Sequence, residues 1–200
     1  MLADIYRRVS ETRARGGMIS IKEITAWRVD ARREVIARWA VRLESPRYGV
    51  RTVEALRPVL MEWLERTHGV LSFRLVQVLT GHGCFGKYLH KIVRRESTPS
   101  CHNCSCDEDT AQHTLEECAA WEGERRELVA IIGADLALPT IAREMLVSIR
   151  NWDAVAAFCE AVISRKEAAD RVRVELLFGD TFRRRRLGRR RREYLRLMPP

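Results

Sequence analysis

The feature that most limits this chain's possible folds is a run of cysteine and histidine, CHNCSCDEDTAQHTLEEC, spanning residues 101–118. Within it stands Cys101-x2-Cys104-x8-His113-x4-Cys118. Two cysteines separated by two residues turn both thiolates toward one ion on a tight knuckle. A histidine and a cysteine five positions apart present from neighbouring turns at the start of a helix. Three thiolates and one imidazole form a closed tetrahedral set, the donor chemistry of structural Zn²⁺ rather than of a catalytic ion with an open position. Cys106 could replace Cys104, although the x2 spacing makes the better turn. Asp109 is a candidate cap for the helix that carries His113 and Cys118, and Pro99-Ser100 sets the entry turn.

The rest of the chain fits a reducing, non-secretory setting. All six cysteines lie at 84, 101, 104, 106, 118 and 159, and MLADIYRRVSETRARGG at the N-terminus lacks the apolar core of a secretion signal. The clustering therefore points to metal rather than to disulfides. No apolar run approaches the roughly 18–20 residues that a membrane span requires, so no membrane partner is expected. Cys84 and Cys159 are expected to be plain apolar residues.

Elsewhere the periodicity is helical and no segment alternates as a strand does, so the expected fold is all-α. Ile24, Trp27, Ala31, Val35, Trp39 and Leu43 form one face of a helix near 20–44, with Arg28, Arg32, Arg33, Arg38 and Arg42 on the other. Ser45-Pro46 and Tyr48-Gly49 break it. Pro58 opens a short helix that buries Leu60, Trp63 and Leu64 and ends at Gly69. Ser72 caps the next, which halts at Gly81-His82-Gly83. Residues 115–132 read as helix up to Gly133, Pro139 opens another, and Asn151 or Asp153 begins the last. Trp27, Trp39, Trp63 and Trp152 sit in helical register and are expected mostly in the core. The expected organisation is a helical region 1–95, a zinc-knuckle module 96–122, helices over 123–180, and a basic, disordered tail 181–200.

Charge is placed unevenly along this plan. The net charge is +9, but residues 101–180 carry eight basic and sixteen acidic side chains, while 181–200 carry nine arginines and one glutamate. The knuckle thus lies in the most acidic block, where Asp107, Glu108, Asp109, Glu116 and Glu117 would repel phosphate. It either organises neighbouring helices or touches nucleic acid through apolar and amide groups. Nucleic-acid contacts are expected instead from Lys87, Lys91, Arg94 and Arg95, just before the knuckle. In the tail they are expected from Arg183, Arg184, Arg185, Arg186, Arg189, Arg190, Arg191 and Arg192, a run that also suits nuclear import. The arginine face of the 20–44 helix reads more simply as solvated and salt-bridged. In TGHGCFGKYLH (80–90), His82, Cys84 and His90 lack a fourth ligand. A structural turn is expected there, with His82 donating a hydrogen bond.

Several of these residues also carry a family resemblance. LVQVLTGHGCFGKYLHKI (75–92), then the ordered ligands through TAQHTLEECAAW, resemble the C-terminal region of non-LTR (LINE-type) retrotransposon reverse transcriptases. The closest likeness is to arthropod elements that insert in ribosomal DNA or telomeric repeats. It covers about residues 20–132 and rests most on Gln77, Thr80-Gly81-His82-Gly83, Phe85, Tyr88-Leu89, Thr110, His113, Glu117 and Trp121. The resemblance implies a polyprotein with an endonuclease and a polymerase that copies element RNA into DNA at a nicked target. This chain would be its accessory end, with Met1 an internal methionine or the start of a fragment. RNA or DNA and the rest of the polyprotein would be its partners, and a nuclear site of action with a cytoplasmic ribonucleoprotein stage would follow. The chain has no Asp-Asp pair to hold polymerase metals and no Pro-Asp of a restriction-like nuclease. The alternatives are a protein-interaction module, in which the acidic 101–180 segment docks on a partner, or a remnant of a decayed element.

Overall fold

The computed structural model describes the backbone of residues 2–197 and the side chains of residues 5–176. Ten α-helices and two 3-10 turns make up its regular structure, and no strand occurs among the described residues. In chain order the helices are α1 (Leu2–Ala14), α2 (Ile21–Arg42), α3 (Val50–Leu56), α4 (Leu60–Glu65) and α5 (Phe73–Thr80). There follow α6 (Gly86–Lys91), α7 (Ala111–Glu116), α8 (Glu122–Ile132), α9 (Leu138–Val147) and α10 (Ile149–Leu197).

Local chemistry sets most of the boundaries. Ser20 and Glu23 form a reciprocal capping box at the start of α2, each satisfying a backbone N–H of the other. The Ser72 hydroxyl accepts from the Leu75 N–H, and Gly81 closes α5 in a left-handed conformation with φ 72°. Pro58 opens the 3-10 turn Arg57–Val59 that leads into α4, and Pro139 lies in the first turn of α9. The segment expected as one helix over 115–132 is instead α7, a 3-10 turn at Ala119–Trp121, and α8. The break falls where Cys118 must turn back toward the knuckle. The last helix begins earlier than expected, because Ser148 rather than Asn151 or Asp153 receives the first-turn N–H bond, from Asn151.

One buried cluster draws residues from α3, α4, α5, α7, α8, α9 and α10, together with Phe85, Cys101, Cys118, Trp121 and Leu136 between them. The helix α10 is its spine, with α5, α8 and α9 packed against it. Trp152, at the start of α10, shows how tight the fit is. Its ring lies 5.3 Å from that of Trp63, the Arg66 guanidinium stacks over both, and its indole N–H donates to the Val70 carbonyl. A Cβ at Gly69 would stand 2.1 Å from the Trp152 ring, and the residue holds φ +81°. Glycine is needed there on both counts.

Two expectations are corrected. Ile36 is the buried residue of α2, whereas Val35 and Trp39, expected in the core, are 46% and 47% exposed. The helix makes its contacts with α1 and α4 alone at any density, so it has too few neighbours to cover a whole face. The backbone of α10 also runs helically to Leu197, through the segment expected as a disordered tail. Arginine is a good helix former, and no proline interrupts the segment before Pro199. The side chains of Arg183–Arg186 and Arg189–Arg192 lie outside the described residues.

Candidate metal centre

The loop 99–109 and the short helix α7 converge on the four residues marked by spacing. Cys101 donates its N–H to the Cys106 carbonyl at 2.8 Å, and Ser105 donates to the Cys101 carbonyl at 2.9 Å. Ser105 takes φ 61°, in the left-handed region, which tightens the knuckle so that Cys101 and Cys104 face inward. On the other side, the Thr110 hydroxyl caps α7 by accepting from the His113 N–H at 2.9 Å. Thr110, not Asp109, is therefore the cap. Cys118 follows the helix end, its N–H bonded to the His113 carbonyl at 2.8 Å.

One ligand atom from each of Cys101, Cys104, His113 and Cys118 lies within 4.8 Å of the others. Cys101 Sγ and Cys118 Sγ are 3.9 Å apart, and Cys104 Sγ is 3.2 Å from His113 Nε2. With zinc–sulfur bonds of about 2.3 Å and zinc–nitrogen bonds of about 2.0 Å, a tetrahedral ion spaces its donors by roughly 3.5–3.8 Å. The donor set, its spacing and its burial thus fit one zinc ion with no fifth position. Cys106 is exposed and outside the group. The Glu117 carboxylate lies 3.2 Å from His113 Nδ1, a contact that would hold the imidazole of a ligand histidine with Nε2 turned toward the other three residues of the group. Burial pushes the Cys118 thiol up to about 12, so metal must displace a firmly held proton there.

Three residues that spacing did not reveal build the frame. The Arg125 guanidinium, on α8, donates to the carbonyls of Leu115 at 2.7 Å and Cys118 at 2.6 Å, satisfying the end of α7. Lys166, on α10, is buried against Asp109 and donates to both carboxylate oxygens at 2.7 and 2.9 Å. Asp109 also accepts the Gly86 N–H at 2.9 Å, so one carboxylate joins α6, the knuckle and α10. Arg51, on α3, donates to the Val78 carbonyl and to Gln112 of α7. Lys166 did leave a trace: it continues the spacing Cys159, Val162, Ile163 along a buried helix face, where a charge needs a partner.

The glycine-rich turn is structural, as expected. A Cβ at Gly86 would stand 2.7 Å from the Ser100 carbonyl oxygen, so glycine lets α6 press against the knuckle loop. Gln77 reaches across the turn, accepting from the Cys84 N–H and donating to Glu167. His82 makes no side-chain hydrogen bond among the described residues; its ring lies on Tyr88, centroids 4.8 Å apart. Burial pushes the thiols of Cys84 and Cys159 up, which leaves them unreactive.

The four basic residues before the knuckle divide into pairs. Lys87 is bonded to Glu108 at 2.8 Å, and Arg95 grips both oxygens of Asp170 on α10. Lys91 and Arg94 are exposed and without a salt bridge among the described residues.

The fold and site together define an all-α chain built round a closed Cys3His group of the zinc-knuckle kind. Over 87 residues, 40% of this chain, it is 38% identical to the retrovirus-related Pol polyprotein from type-1 retrotransposable element R1 of Popillia japonica. The matched part covers 35% of that relative's length. The similarity relates part of the chain to a retrotransposon polyprotein. No family model matches the chain, and no solved structure does.

Proposed function

We propose that this chain is an accessory, zinc-stapled part of a non-LTR retrotransposon polyprotein, acting beside a polymerase to hold element RNA or target DNA. The observation that carries the reading is the convergence of Cys101, Cys104, His113 and Cys118 in a chain similar to an R1 Pol polyprotein. The zinc ion would fix α7 and the knuckle loop against α10. It would act as a brace, because acidic residues surround it and Lys87 and Arg95 are already paired. Action at an integration site places the protein in the nucleus, after a cytoplasmic stage with RNA.

Two measurements test this. Purified protein is expected to carry one zinc per chain, and Cys118→Ser to lose it; an unchanged zinc content in that variant overturns the site. The full chain is expected to bind RNA and duplex DNA with a steep salt dependence. Absence of binding at low salt overturns the nucleic-acid role.

A second reading has its own observation. Leu128, Ile131 and Phe158 line a groove between α8 and α10 that Glu124 and Glu127 edge with negative charge. A basic amphipathic helix of a protein partner would suit it. Binding to the polymerase region with no affinity for nucleic acid would favour this reading over the first.

A further inference from the structure

The long helix α2 has sorted its charges in a way its mixed composition conceals. The expectation that the arginines stand opposite the apolar stripe is corrected for three of them: at 3.6 residues per turn, Arg28, Arg32 and Arg42 fall within about 80° of one another on the same side as Val35 and Trp39. The three acidic residues of α2 are Glu23, Asp30 and Glu34, and they collect within about 40° on another side, centred roughly 140° away. Glu23 is held in the capping box and Glu34 pairs with Arg38. The strip carries no acidic residue of its own helix.

This strip is open. Val35 and Trp39 are 46% and 47% exposed, and Arg28 and Arg42 are exposed with no ion pair or side-chain hydrogen bond among the described residues. Arg32 donates to the Leu64 carbonyl at 3.1 Å and so fastens one edge of the strip to the end of α4. Beyond the helix end stand exposed Arg47, with no ion pair or side-chain hydrogen bond among the described residues, and Tyr48 at 88% exposure. A solvated, salt-bridged face would pair its arginines and would not set a tryptophan among them.

We propose that this strip is a binding surface for single-stranded nucleic acid, on which Trp39 stacks a base while Arg28 and Arg42 take the flanking phosphates. The assignment rests on the function proposed above and gives it a place. Charge complementarity selects a polyanion, and a flat aromatic ring among cations selects one whose bases are unpaired. Neither a ring stack nor a phosphate contact reads the sugar, so RNA and DNA strands should bind alike.

The test uses the full chain with dye-labelled uridine and thymidine oligonucleotides of roughly 12 nucleotides, a length within single-strand site sizes. Trp39→Ala is expected to weaken both about 10-fold, within the range of one lost base stack, and Trp39→Phe to restore most of the loss. The double variant Arg28→Ala/Arg42→Ala is expected to lower the salt slope by about 1.4, two single-strand phosphate contacts. Blunt duplex binding should be unaffected by Trp39→Ala, and zinc content and circular dichroism should match the parent throughout.

If the parent binds both strands and these variants bind equally well, the α2 assignment fails while the nucleic-acid role stands. If the parent binds neither strand at low salt, both fail. If the parent is a dimer that Trp39→Ala dissociates with strand binding unchanged, the strip is a contact between copies and the proposal is overturned.

Discussion

The two helices α2 and α10 are both long, and both carry many arginines, yet the molecule treats them oppositely. From Trp152 to Lys166, α10 buries one side chain after another and receives α5, α8 and α9. Over 22 residues, α2 buries Ile36 alone. Periodicity cannot separate the two cases, because an apolar stripe shows only which face would be covered if a neighbour were present. Neighbours decide the outcome. The Asp109–Lys166 ion pair ties the knuckle loop to α10, and no comparable anchor acts on α2, which is attached at its edges through α1 and α4. The molecule thus sets a core packed round the Cys3His group against an exposed basic arm.

The largest effect that would sharpen this contrast is removal of the metal. A strong chelator is expected to abolish the cooperative thermal transition of the core, since structural zinc in small modules contributes apparent binding free energies of about 10–16 kcal/mol. The helical signal of residues 21–42 should outlast it, because their capping box needs no tertiary partner. Hydrogen exchange resolved by peptide checks both halves. Protection lost equally from both helices would break the comparison.

Next comes the carboxylate that ties three elements together. Lys166→Ala leaves Asp109 buried without its counter-ion, and denaturant unfolding should show a loss of about 3–5 kcal/mol. Lys166→Met combined with Asp109→Asn should cost less, since no charge is then buried alone and the amide oxygen still accepts the Gly86 N–H. Near-equal losses in the two variants would show that packing against Phe85, over whose ring Lys166 sits at 5.4 Å, matters more than charge.

How much of this could be read from the chain follows the same line. The Cys-Cys-His-Cys spacing, the all-α class and the cap at Ser72 are local in sequence, and their chemistry fixes their geometry; the capping box of Ser20 and Glu23 is equally local but was not among the expectations. Where a partner lies far along the chain, local sequence does not identify it. Asp109 resembles a helix cap because a helix begins two residues on, but its partner stands at Lys166. Arg95 resembled a phosphate ligand because Asp170 is distant in sequence. Trp39 resembled a core residue because it shares the spacing of Trp27, and spacing does not reveal which side of a helix is left bare. Helix α1 shows no clear stripe in the sequence: its residues 2–14 carry three arginines and only scattered apolar positions.

The smallest effects separate structure from function on the exposed arm. Ser20→Ala removes one half of the capping box and should cost about 1 kcal/mol, confined to the first turns of α2. Trp39→Ala should change global stability by no more than about 0.5 kcal/mol, as for a surface position away from caps and cores. Ile36→Ala, one turn back on the buried side, removes a core side chain and should cost at least about 2 kcal/mol. The ordering of these last two is the informative quantity. If Trp39→Ala destabilises the protein as much as Ile36→Ala, the tryptophan is a packed residue and α2 resembles α10 after all. If it does not, its half-exposed ring serves something outside the fold.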